Sequence, residues 1–250
     1  SCTSALEAAA LILDVKYGDE IIVPSFNFVT SAAVFANFGA KIRFVDCNSQ
    51  TLCASLSSIK KNITKKTKAI IIMHYAGVGS EINQIKKLCK QKNIYLIEDA
   101  AQCIGSKYGN KFLGSFGDLS TFSFHETKNI SCGEGGMLVV NNQKLLEKAK
   151  IVCLKGTNRI NFEEKKLNYY TWIDKGFSAL ASDITCSILI GQLKIYKKIN
   201  SIRKKLWMNY YNSITKLNYK SFFNLPQKKI FRNSNFHIFY LVFKSKTKRN

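Results

Sequence analysis

The chain has 250 residues, 46% of them hydrophobic, which is enough to bury the core of one large α/β domain or of one domain and part of another. No apolar run is long enough to span a bilayer, and the first residues lack the basic region of a signal peptide. The formal net charge is +22. The lysines are spread along the chain and do not alternate with aromatic residues, which argues against a nucleic-acid-binding protein. The positive charge would still attract phosphorylated substrates.

Short apolar runs alternate with helical patterns along the first 150 residues. The runs that predict strands are, in chain order, Glu20–Val23, Lys41–Val45, Ala69–Met73, Ile94–Ile97, Leu119–Phe124 and Met137–Val140. The patterns that predict helices are Ser1–Leu13, Asn27–Phe38, Glu81–Lys90 and Leu145–Val152. This alternation predicts an α/β fold with a mainly parallel sheet covered by helices on both faces. Ligands of such sheets bind beyond the carboxyl ends of the strands.

The pattern changes after about residue 170. Two helices are predicted, over Ile184–Leu193 and Ile195–Tyr211, and the apolar run Phe236–Phe243 predicts a strand. We therefore expect a large domain over residues 1–193 that lacks its N-terminal segment. A linker helix and an incomplete small C-terminal domain are expected over residues 194–250.

The eight cysteines form no C-x-x-C pair, and the chain has only three histidines. The cysteines therefore predict reduced thiols in a cytoplasmic protein, and the sequence predicts no metal site.

The predicted strand ends carry one lysine, one acid, one aromatic ring and several hydroxyls, which is what a pyridoxal-phosphate site needs. Lys128 in the loop after Leu119–Phe124 could form a Schiff base or could be a solvated surface lysine. Asp99 could face a pyridine nitrogen or cap the next helix. Thr3 and Ser4 could bind a phosphate at a helix N-terminus or act as ordinary caps. Phe28 could stack on a cofactor or belong to the core.

Five separated segments give these residues a specific context. They are, in order, Ser1-Cys-Thr-Ser-Ala-Leu-Glu, Pro24-Ser-Phe-Asn-Phe-Val, Glu98-Asp-Ala-Ala-Gln102, Ser123-Phe-His-Glu-Thr-Lys-Asn129 and Gly133-Glu-Gly-Gly136. Together they resemble the nucleotide-sugar aminotransferase family of fold-type-I pyridoxal-phosphate enzymes. Within that family, His125-Glu-Thr-Lys-Asn129 and Lys155-Gly-Thr-Asn-Arg159 look most like the branch of the dTDP-4-amino-4,6-dideoxygalactose transaminases.

The resemblance implies roles for individual residues around pyridoxal 5'-phosphate. Lys128 would hold the cofactor covalently and move the proton, and Asp99 would pair with the pyridine nitrogen. Gln102 would lie near the phenolic oxygen, and Phe28 would stack on the ring. The side chains implied to hold the phosphate are the hydroxyls of Thr3, Ser4 and Ser123.

The resemblance also implies a reaction and its partners. Glutamate would donate the amine, and the 4-keto group of a nucleotide-linked 6-deoxyhexose, dTDP-4-dehydro-6-deoxy-D-glucose, would accept it for cell-surface polysaccharide synthesis. A homodimer is expected, with Ser178 standing where relatives carry an Asn that reaches the partner's cofactor phosphate. The relatives have longer N- and C-terminal parts, so the alternative is a truncated non-catalytic remnant or a partner subunit.

Overall fold

A six-stranded sheet forms the centre of the protein. The computed structural model describes residues 1–217 and 221–250. The strands of the described part are β1 (Glu20–Pro24), β2 (Lys41–Val45), β3 (Thr67–Met73), β4 (Tyr95–Asp99), β5 (Lys107–Tyr108), β6 (Lys111–Phe112), β7 (Leu119–Ser123), β8 (Gly136–Val140), β9 (Phe223–Asn224) and β10 (Val242–Phe243). The order in the central sheet is β2-β1-β3-β4-β7-β8, and each neighbouring pair is parallel except β7 with β8. The mainly parallel sheet predicted from the sequence is thereby confirmed.

Helices cover both faces of this sheet. The helices of the described part are α1 (Cys2–Ile12), α2 (Thr30–Asn37), α3 (Leu56–Asn62), α4 (Ile82–Lys92), α5 (Leu146–Cys153), α6 (Arg159–Glu163), α7 (Asp183–Lys194), α8 (Tyr196–Thr215) and α9 (Lys246–Arg249), and the first five of them cover the sheet. Successive residues of β3 point to opposite faces, so Ile71 packs with α1, α2 and α5 while Ile70 and Ile72 pack with α3 and α4. The continuous apolar runs of the sequence therefore reflect burial on both faces.

The strand predicted over Phe236–Phe243 is wrong for all but its last two residues. Only Val242–Phe243 pairs as a strand, with β9. Phe236 has a φ of 53°, which is incompatible with an extended strand. The carbonyl groups of this segment accept hydrogen bonds from the side chains of Arg203 and Trp207, so they need no neighbouring strand.

A separate aromatic cluster fastens this C-terminal segment to the sheet domain. Trp207 of α8 contacts the rings of Phe231, Phe236 and Phe239, with centroid distances of 4.8, 5.7 and 5.1 Å. Ala76, which follows β3, belongs to the same buried cluster. The C-terminal segment is thus packed against the edge where the parallel strands end. The division into domains at residue 193 stays a prediction.

None of the helices in the described ranges has both the length and the apolar character needed to cross a membrane.

Candidate active site

A cavity of about 520 Å³ opens at the carboxyl edge of the parallel strands. The cavity lies between the carboxyl ends of β3, β4 and β7, the loops that follow β1 and β7, and the first turns of α1 and α2. The lining residues are Ser1, Cys2, Thr3, Phe28, Thr30, Met73, Asp99, Ala101, Gln102, Ser123, His125, Thr127, Lys128 and Glu134. Residues far apart in sequence meet here because the carboxyl ends of parallel strands lie at one edge of the sheet.

Asp99 is the buried acid of this cavity. One carboxylate oxygen accepts a hydrogen bond from the Ser31 hydroxyl at 2.5 Å, and the other accepts one from the backbone N–H of Ala101 at 3.2 Å. Burial raises the pKa of Asp99, and these hydrogen bonds and the charge of Lys128 offset only part of that rise. A positive charge in the cavity would therefore stabilise the carboxylate. The residues after Asp99 form a turn, so Asp99 does not cap a helix.

Glu98, next to Asp99, points away from the cavity into a closed polar network. Its carboxylate accepts a hydrogen bond from His74 Nε2 at 2.9 Å and from the backbone N–H groups of Gly114, Phe116 and Gly117 at 2.8, 2.6 and 2.6 Å. Burial acts to raise the pKa of Glu98, but the hydrogen bonds from His74 and the backbone outweigh it and hold the pKa below its usual range. This network fixes the end of β4 and thereby the position of Asp99.

Lys128 lies in the loop between β7 and β8 and is half-buried. Its backbone N–H donates to the carbonyl of His125 at 2.9 Å, which closes a turn and directs the lysine at the cavity. Phe28 also lines the cavity, and 65% of its surface is exposed, so it is not a core residue. Lys128 is therefore not a surface lysine outside the site, and Phe28 is not a core phenylalanine, which were the alternatives that the sequence left open.

The first turn of α1 forms one wall of the cavity. Ser1 is the N-cap of α1, and its hydroxyl accepts a hydrogen bond from the N–H of Ser4 at 3.1 Å. A methyl group on Gly136 of β8 would lie 2.1 Å from the carbonyl carbon of Ser1, so glycine is required for this close approach. Backbone N–H groups and hydroxyls at a helix N-terminus favour an anion.

The structure brings six of the seven predicted residues to the cavity wall. The six are Thr3, Phe28, Asp99, Gln102, Ser123 and Lys128. Ser4 is the exception, because its hydroxyl lies 3.1 Å from that of Ser1 and Ser4 is not part of the wall. Ser178 also lies elsewhere, in an exposed bridge with Leu154.

Several other wall residues have no role predicted from the sequence, among them Cys2, His125, Thr127 and Glu134. The N–H of Thr127 donates to His125 Nδ1 at 3.2 Å, so Nε2 carries the proton and faces Glu134 Oε1 at 3.2 Å. The motifs that contain His125 and Glu134 were visible, but only the fold shows that these two side chains meet. Burial raises the pKa of the Cys2 thiol to about 12, which favours the protonated thiol at neutral pH.

These side chains fit pyridoxal phosphate as a set. An ionised acid can pair with a protonated ring nitrogen, a lysine can bind an aldehyde, an exposed phenyl ring can stack, and a helix N-terminus with hydroxyls can accept a phosphate. Asp99, Lys128, Phe28 and Thr3 supply these four groups around one cavity. The described residues include no cluster of His, Cys, Asp or Glu side chains that could hold a metal ion.

A lysine and a buried carboxylate at the carboxyl edge of an α/β sheet are the arrangement that a pyridoxal-phosphate-dependent transferase requires. Residues 1–250 match the model of the DegT/DnrJ/EryC1/StrS aminotransferase family. The chain therefore belongs to this family, whose aminotransferases use pyridoxal 5'-phosphate.

The chain is also similar to individual proteins. The chain is 38% identical over 208 residues to the protein MJ1066 of Methanocaldococcus jannaschii, covering 82% of this chain and 53% of the relative. It is 36% identical over 218 residues to the GDP-perosamine synthase of Escherichia coli O157:H7, covering 86% and 57%. The aminotransferase from Psychrobacter cryohalolentis superposes with a TM-score of 0.89 at 27% identity, covering 98% of this chain and 64% of that one. The chain thus spans about half the length of the curated relatives it matches.

Proposed function

We propose that the chain forms the cofactor-binding part of a transaminase that aminates the 4-keto group of a nucleotide-linked 6-deoxyhexose. The observation that carries this proposal is the convergence of Lys128 and the buried Asp99 on one cavity in a chain of an aminotransferase family. Glutamate is the proposed amino donor. Since both substrates are anions, the net charge of +22 would raise their concentration near the protein.

Pyridoxal phosphate, when bound, supplies an electron sink for the electrons of a broken C–H bond. In the proposal, Lys128 Nζ binds the cofactor and then accepts and returns the proton at the reacting carbon. Asp99 keeps a proton on the ring nitrogen, and Phe28 excludes water from one face. Thr3, Ser123 and the N-terminus of α1 would hold the phosphate, whereas the hydroxyl of Ser4, which was predicted to share this role, contacts Ser1 instead. Gln102 accepts a hydrogen bond from the N–H of Ala76 at 2.6 Å, which leaves its amide NH₂ for the phenolic oxygen.

The proposal also extends to the nucleotide and the sugar of the substrate. The motif likeness favours dTDP-4-dehydro-6-deoxy-D-glucose, whereas one relative is named for GDP-perosamine. Comparing kcat/KM for dTDP- and GDP-linked 4-keto-6-deoxyhexoses, with glutamate, decides between these two. The product would serve cell-surface polysaccharide synthesis. A cytoplasmic location is proposed for the enzyme, because its eight cysteines form no disulfide.

The experiment that tests the site uses the chain itself. Pyridoxal phosphate is added, the absorption spectrum is recorded, borohydride is added, and the labelled peptide is identified by mass spectrometry. We expect one new absorption band and one label, on Lys128. Absence of the band, or labels scattered over many lysines, would refute the proposed site and would favour the non-catalytic remnant.

Replacing Thr3 with alanine should weaken the binding of pyridoxal phosphate about tenfold, because a hydrogen bond to a charged phosphate is lost. Ser4→Ala is the matched control, since its hydroxyl faces Ser1 instead of the cavity. Fluorescence or absorbance titration measures both affinities. Unchanged affinity in Thr3→Ala would mean that the hydroxyl of Thr3 is not a phosphate ligand.

A homodimer is proposed as the assembly, supported by an apolar surface on and before α7. Large side chains are exposed there, including Trp172 at 76%, Leu180 at 68% and Ile184 at 76%. Apolar areas of this kind mark interaction surfaces. A second copy that covers this surface would place Ser178, in the same region, at the interface.

Ile184→Glu should convert this dimer to monomers at micromolar concentration, because a buried charge at an interface costs several kcal/mol. Tyr17→Glu is the control, since Tyr17 is 92% exposed and lies between α1 and β1, outside the segment on and before α7. Sedimentation velocity measures the masses. A monomeric unmodified chain, or a dimer that survives Ile184→Glu, would contradict the proposed interface.

A further inference from the structure

Asn129, the residue after Lys128, points into a buried polar network instead of the cavity. Its amide nitrogen donates to the backbone carbonyl of Asn235 at 2.9 Å and to the side-chain oxygen of Asn200 at 3.1 Å. The amide of Asn200 in turn donates to the carbonyl of Ile104 at 3.1 Å. The orientation of both amides is thereby determined by their partners.

This orientation also determines the tautomer of His237. The side-chain oxygen of Asn129 lies 2.8 Å from His237 Nδ1, and this oxygen can only accept. Nδ1 of His237 must therefore carry the proton. Burial, together with the charges of Lys128 and Arg203, lowers the pKa of His237 to about 3, so the ring is neutral. A neutral ring beside the lysine adds no positive charge that would repel it.

The segment that carries His237 is itself held by α8. Arg203 donates to the carbonyl of His237 at 2.6 Å, and Trp207 Nε1 donates to the carbonyl of Ile238 at 3.1 Å. Two hydrogen bonds of Asn129 then connect this segment to the loop of Lys128: one to the carbonyl of Asn235, and one from His237 Nδ1, which lies 108 positions away in the sequence. Because Asn129 is only 8% exposed, the contact is shielded from water.

We propose that the Asn129–His237 hydrogen bond is a positioning contact, through which the C-terminal segment holds the loop that presents Lys128 to the cavity. The role of Lys128 rests on the proposed function, but the contact itself can be tested without cofactor. His237 does not line the cavity, so it acts through Asn129 and not on the cofactor.

The test compares three variants by hydrogen exchange in the cofactor-free chain. His237→Phe keeps an aromatic ring but removes the donor, and the amides of residues 126–131 should exchange about tenfold faster. His237→Asn should restore protection, because its amide offers a donor at the same distance from the backbone as Nδ1. Tyr240→Phe removes a different hydrogen bond of the same segment, to the carbonyl of Gln50, and should leave the loop unchanged.

A second measurement connects the contact to Lys128. His237→Phe should weaken binding of pyridoxal phosphate and borohydride labelling of Lys128 about tenfold, with His237→Asn close to the unmodified chain. If His237→Phe fails to fold, Asn129→Leu removes this bond from the other side, together with the bonds of Asn129 to Asn235 and Asn200, and should expose the loop at least as much. Unchanged exchange in His237→Phe, or equal loss of protection in Tyr240→Phe, would overturn the proposal. Absence of cofactor binding in the unmodified chain would refute the proposed function alone, because the exchange data still decide the contact.

Discussion

Lys128→Ala should abolish covalent attachment of pyridoxal phosphate and lower kcat for transamination by about 10⁴-fold, the upper end of what a positioned acid–base group contributes. The reason is that, among the described residues, Lys128 is the only lysine on the wall of the cavity that holds Asp99. Borohydride labelling measures the attachment, and a coupled assay of the amino-sugar product measures kcat. A small primary amine added to the solution should restore part of the lost rate, because it can accept the proton in place of Nζ.

Lys87→Ala is the matched control for this loss. Lys87 is an exposed lysine of α4, where alanine is a good helix former, so the same change of charge is made without touching the cavity. Its labelling and kcat should equal those of the unmodified chain. If Lys128→Ala retains a borohydride-stable label on another lysine and full turnover, the assignment of Lys128 is wrong.

The parallel sheet could be predicted from sequence because its strands are buried on both faces. Such strands appear as continuous apolar runs, as in Ile70–Ile72 of β3, and the runs alternate with helical patterns. The same reasoning failed for Phe236–Leu241, which is also rich in apolar and aromatic residues. Its rings pack on Trp207, and its carbonyl groups bond to side chains of α8. No local pattern distinguishes an aromatic segment packed on a helix from a strand.

The sequence predicted most of the residues that meet at the cavity, but not their contacts. The order of the motifs and their residues indicated Lys128 and Asp99, and the fold brings these two residues to one cavity. The orientation of Ser4 depends on which residue caps α1, and the structure assigns that role to Ser1. The bond between Asn129 and His237 joins two segments that carry no shared pattern. Local sequence therefore gives the chemical groups, whereas long-range packing gives their arrangement.

Asp99→Asn should weaken the binding of pyridoxal phosphate about 100-fold, because a buried charge pair with the ring nitrogen loses one partner. The substitution is nearly isosteric, and the local hydrogen bonds can persist. The N–H of Ala101 can donate to the amide oxygen, and the hydroxyl of Ser31 can rotate to accept from the amide nitrogen. Titration of the chain with cofactor measures the affinity. Asp174→Asn, which removes an exposed carboxylate, is the control and should bind normally.

The cofactor-free chain should respond to Asp99→Asn in the opposite direction. Burial raises the folded-state pKa of Asp99 above the unfolded value of about 3.8, so folding favours the protonated form. The stabilising contribution of Asp99 is complete below the unfolded pKa and is lost as pH rises through the folded pKa. The amide that replaces the carboxyl group cannot ionise, so the variant should gain stability relative to the unmodified chain as pH increases from about 4 to about 8, measured by urea unfolding. A difference that shrinks over this range would mean that the Asp99 carboxylate is already stabilised without the cofactor. Opposite signs of these two effects would show that the charge of Asp99 strengthens cofactor binding but lowers the stability of the cofactor-free chain.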